Sequence, residues 1–105
     1  MKTNALQIEF SFGVDWTGIQ TLNTLAQIQK GTKSIKRMAT ELFGGWTWTP
    51  IKNSFQRGAV LTVVTSERDV KMVRQAIAML ADVIKGSLAQ TSVEISVSQI
   101  QHYKY

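Results

Sequence analysis

Cysteine is absent from this sequence, proline and histidine occur once each, and no apolar run approaches the roughly 18 residues of a membrane span. Without cysteine there is no disulfide framework, no thiolate metal site and no thiol nucleophile. The single histidine, His102, excludes a metal site built on two or more histidines, and a Ser/His/Asp triad would have to recruit a residue near the C-terminal end. Carboxylates are sparse too: none stands between Glu41 and Glu67, so paired-carboxylate catalysis has no seat in that region. Neither GxxxxGK[ST] nor GxGxxG occurs. Met1-Lys2-Thr3-Asn4 leads into alternating residues rather than a basic start and an unbroken apolar stretch, so a soluble, unexported, cytoplasmic protein is expected. No metal and no resident cofactor is implied, and no catalytic residue is assigned.

What is present suits one core. At 105 residues and 44% hydrophobic, the chain is long enough for a single domain, residues 1–105, and too short for two. Twelve Lys and Arg against seven Asp and Glu give a formal charge of +5. That excess fits a polyanionic or phosphate-bearing partner, and it equally fits a lysine-rich surface kept for solubility.

Leu6, Ile8, Phe10 and Phe12 alternate with Gln7, Glu9 and Ser11, which predicts a half-buried strand ended by Gly13. Asp15 would cap a helix carrying Ile19, Leu22, Leu25, Ala26 and Ile28 at helical spacing. Gly31 interrupts that helix by a kink or a split, and Ile35, Met38, Ala39, Leu42 and Phe43 resume it up to Gly44-Gly45. Trp46-Thr47-Trp48-Thr49 reads as a strand limited by Pro50, and Ile51 to Gly58 as a loop or ragged hairpin. Ala59 to Thr65 is a near-continuous apolar and β-branched run, as in a central strand. Ser66-Glu67-Arg68-Asp69 opens a second helix with a hydroxyl cap, its core stripe being Val70, Val73, Ile77, Leu80, Ile84 and Leu88, with its end near Gly86. Val93, Ile95 and Val97 alternate with Glu94, Ser96 and Ser98 in a last strand running raggedly toward Tyr105.

The order strand, helix, strand, strand, helix, strand predicts an α+β sandwich of ferredoxin-like βαββαβ type, a four-stranded antiparallel sheet with two helices on one face. The other sheet face, expected to present Trp46 or Trp48, would then be wet, functional or covered by another subunit. Trp46 and Trp48, two apart, share one side of a strand, and with Lys52, Phe55 and Arg57 they offer stacking rings beside cations, or equally a core or subunit contact. Gly44-Gly45 lets a backbone approach a ligand closely, or simply ends a helix.

At Glu41-Leu42-Phe43-Gly44-Gly45-Trp46-Thr47 the chain resembles a group of small, often phage-encoded ferredoxin-like proteins, some of them trimers shaped like the PII signalling proteins. Within that group it is most similar to the phage S-adenosylmethionine (SAM) lyases, whose last helix-to-strand junction carries a glutamine ahead of a valine-bearing strand, as in Gln90-Thr91-Ser92-Val93. The resemblance implies a homotrimer with a ligand pocket between subunits, and a ligand that is SAM or a nucleotide. It also implies possible cleavage of SAM to methylthioadenosine and homoserine lactone, in antagonism of host defence. The candidate ligand-binding residues are Gly45, Trp46, Thr47, Trp48, Lys52, Arg57 and Gln90. The glutamate that the family places after the glycine–aromatic motif has no counterpart, since Pro50, Ile51, Lys52 and Asn53 stand there. Two other functions compete: a basic module binding single-stranded nucleic acid on an aromatic sheet face, although the [KR]-G-[FY]-[GA]-[FY] motif is missing, and a non-enzymatic protein-binding inhibitor. Fold alone does not choose among them.

Overall fold

The computed structural model describes residues 2–16, 25–52, 56–66, 69–88 and 93–103. Strand β1 (Lys2–Trp16) leads to helix α1 (Leu25–Phe43), the hairpin β2 (Thr47–Lys52) and β3 (Gln56–Thr65), helix α2 (Val70–Ser87) and strand β4 (Glu94–Tyr103). The sheet order is β2-β3-β1-β4, with every neighbouring pair antiparallel, which is the ferredoxin-like arrangement. Both helices cover one face. Register explains the core: Ile8 pairs Val63, Phe10 pairs Leu61 and Phe12 pairs Ala59, so three cross-strand rows point to the same side. Onto them pack Ile35 and Ala39 of α1 and Val73, Leu80 and Ile84 of α2, with Leu88 just beyond.

The opposite, open face carries Gln7, Glu9 and Ser11 of β1, Thr47, Thr49 and Ile51 of β2, Val60, Thr62 and Val64 of β3, and Glu94, Ser96 and Ser98 of β4. Among the side chains just named there is no aromatic and no cation. Trp48 pairs Leu61 and therefore lies on the helix-covered face, which corrects the expectation that a tryptophan would stand on the open one. The cause is parity. Residue 48 opposite residue 61 must share its side.

Other boundaries also move. β1 continues past Gly13 to Trp16, with an irregularity between Gly13 and Asp15 that leaves Val14 extra. Gly13 faces Gly58, where an added Cβ would lie 2.7 Å from the carbonyl oxygen of Phe12, so two glycines allow a close backbone approach at the bulge. Asp15 consequently sits in the strand opposite Arg57 and caps no helix. Ile19 and Leu22 lie outside the described residues. α1 runs through Gly31 without a break, because Gly31 is there for contact: its Cβ would meet the Ser87 carbonyl oxygen at 2.5 Å and Leu88 Cδ2 at 2.9 Å. β2 includes Pro50, which an edge strand tolerates since a missing donor on its free side costs no ladder bond. The α2 cap is Asp69 rather than a hydroxyl, its Oδ1 accepting from the amides of Lys71 at 3.0 Å and Met72 at 3.3 Å. Val70, expected in the α2 core stripe, is 62% exposed because it lies in the first turn, before the helix reaches the sheet.

Candidate functional site

Gly44 ends α1 with φ of 84°, and its amide donates to the Thr40 carbonyl at 2.9 Å, so the helix-cap role holds. Gly45 is open, with nothing within 4 Å of where a Cβ would be. The chain then folds back onto its own helix. The Trp46 indole Nε1 donates to Thr40 Oγ1 at 3.0 Å, and that hydroxyl donates to the Lys36 carbonyl at 2.9 Å. The Lys36 ammonium sits 5.0 Å from the Trp46 ring centre and 5.0 Å from that of Trp48. Trp48 meets Phe12 edge-on, with centroids 5.5 Å apart and planes at 68°. Both indoles are thus engaged by the chain itself, through cation–π and edge contacts that tie the start of β2 to α1.

Of the residues singled out from sequence, Gly45, Trp46, Thr47 and Trp48 come together at this corner, Thr47 facing the open side of the sheet. Lys52 and Arg57 pair with each other at the far end of the β2–β3 hairpin, about 17 Å along the strand from Thr47 at roughly 3.3 Å per residue. Their side chains, and all of Gln90, lie outside the described residues.

Across the last turn of α1 lies a feature that reading the sequence missed. A groove of about 320 Å³ runs between the end of α1, Thr65 of β3 and the first half of α2, walled by Leu42, Phe43, Met72, Val73, Ala76 and Met79, with Glu41 and Gln75 at its polar positions. The signal was a second apolar stripe on α2, Met72, Ala76, Met79 and Val83, displaced one residue from the core stripe at the same helical spacing. Met72 and Met79 remain 56% and 51% exposed beside the groove. Among the described residues the one ion pair joins Lys85 and Asp82 at 3.6 Å, so Glu41 has no described cation within pairing distance. The arrangement can enclose an apolar body and offer a carboxylate to a positive charge. Among the described residues no cluster of His, Cys, Asp or Glu could hold a metal ion, and no helix is long and apolar enough to cross a membrane.

No family model and no curated protein matched the chain. Among solved structures the chain is similar to LarC2, the C-terminal domain of a cyclometallase involved in the synthesis of the NPN cofactor of lactate racemase, in its apo form. The likeness has a TM-score of 0.59 at 16% identity, over 98% of this chain and 58% of that one. It establishes a shared fold. The chain spans little more than half the length of that neighbour.

Proposed function

We propose that this domain binds a small molecule joining an apolar body to a positive charge, of which SAM is the representative, and that it works as a homo-oligomer. The observation that carries the reading is Glu41, a carboxylate without a described partner at a groove walled by Phe43, Met72 and Met79. A volume of about 320 Å³ is at the lower end for ligand pockets, which run from roughly 300 to 1,000 Å³. Between the two ligand classes suggested by sequence, the acid favours a sulfonium and an ammonium over a polyphosphate. Nothing in lyase chemistry asks for more than enclosure and positioning. The substrate's own carboxylate oxygen bonds to the carbon beside the sulfonium, the carbon–sulfur bond breaks, and its electron pair leaves on a neutral thioether.

Calorimetry with SAM and with ATP tests this. SAM should bind, ATP should not, and Glu41→Gln should weaken SAM by about tenfold or more through loss of a charge-assisted contact, the equivalent of about 1.4 kcal/mol. Mass spectrometry of the incubated ligand then reads whether methylthioadenosine and homoserine lactone form. Tighter binding of ATP, or SAM affinity unchanged in Glu41→Gln, defeats the assignment.

A further inference from the structure

We infer that β4 is a pairing edge for a second copy of this chain, which adds its own β4 antiparallel across a two-fold axis at Ser96. The two edges of the sheet differ. β2 spans six residues and contains Pro50, whereas β4 spans ten, pairs with β1 in unbroken register, and has no Pro, Lys or Arg from Glu94 to Tyr103. Those are the devices that normally blunt an exposed edge, and among the described residues no strand lies beyond β4.

The side chains make the same point. Ile95 pairs Phe10 and Val97 pairs Ile8, so both project on the helix side in line with the core, yet they are 40% and 50% exposed. The core rows are cut off at the edge. Pairing two copies about Ser96 sets Ile95 opposite Val97 of the second copy, and Val97 opposite its Ile95. One apolar row then runs unbroken through Leu61, Phe10 and Ile95 into the second copy's Val97, Ile8 and Val63. On the open face the same register places Glu94 against Ser98 instead of its own image, avoiding a like-charge contact. From Glu94 to Ser98 this register sets apolar side chains against apolar and polar against polar, so the fitting occupant is another copy. Two four-stranded sheets become one of eight.

The absence of native cysteine makes the test clean. At a two-fold axis, Ser96 would stand about 4.5–5.5 Å in Cα separation from its copy, within reach of a disulfide. Under mild oxidation at about 10 µM, Ser96→Cys should form a covalent dimer about 100-fold faster than Ser34→Cys on the exposed side of α1, given an effective concentration near millimolar. Val97→Lys, a change at a half-exposed position, should lower the solution mass by light scattering while circular dichroism stays native. Equal cross-linking rates for the two cysteine variants, or an unchanged mass in a folded Val97→Lys, overturns the inference. Neither readout depends on SAM binding, so the ligand assignment and this interface fail separately.

Discussion

The helix pair is closed at one end and open at the other. Where Gly31 of α1 meets Ser87 and Leu88 the backbones nearly touch, an added Cβ having only 2.5 Å to the Ser87 carbonyl oxygen. At the opposite end, Leu42 and Phe43 face Met72, Val73 and Met79 across a groove of about 320 Å³. The helices thus run antiparallel, from a contact made by a hydrogen atom to a separation made by long side chains. A missing side chain sets the seal, while large flexible ones leave a space that can adapt to an occupant.

The strongest test of this contrast is Leu88→Ala. Leu88 is fully buried at the closed end, so its truncation should cost about 2–5 kcal/mol, read from urea denaturation. The groove should keep its SAM affinity in the folded variant. A parallel loss of binding would show that the two ends move together and that the contrast is not local. Next in size is Gly31→Ala. In an exposed helix this change would help by about 1 kcal/mol through propensity. Here the clash is with a backbone carbonyl that cannot rotate away, so the net effect should be a loss of about 1–3 kcal/mol. A rise in stability would mean that the helices are not in contact at Gly31.

The same contrast separates what was legible in the sequence from what was not. Alternation at Leu6–Phe12 and Val93–Val97, and the 3.6-residue stripes at Ile35–Phe43 and Val73–Leu88, carry the element order, because those periods follow from which side of each element is dry. Gly31 was misread as a break. Sequence alone cannot tell a glycine that ends a helix from one that admits a neighbour's backbone, since both rest on the missing Cβ. Parity could not say on which side of its strand Trp48 lies, and register across β3 decided it, while Trp46 falls before the strand and reaches the same lysine, Lys36. The groove depends on how far α1 and α2 diverge, a tertiary quantity. Only the extra stripe Met72–Ala76–Met79–Val83 announced it.

The smallest effect expected concerns the corner beside the open end, where Lys36 lies between Trp46 and Trp48. Its ammonium is 5.0 Å from each ring centre, and its side chain is half-buried. Replacing Lys36 by Met keeps most of the apolar stem and removes the charge, so packing is largely retained and the cation–π attraction is lost. For a site in partial contact with water that attraction is worth about 0.5–1 kcal/mol, and the urea midpoint of Lys36→Met should fall by a corresponding amount. Tryptophan emission should shift as well, because the charge nearest both indoles disappears. Lys36→Arg should restore stability, since guanidinium also stacks on indole. SAM affinity should be unchanged in both variants, because neither Lys36 nor the two tryptophans line the groove. If Lys36→Met instead weakens SAM binding while leaving stability intact, the tryptophan corner is itself the ligand site. The open end of the helix pair would then be an unfilled seam rather than a pocket.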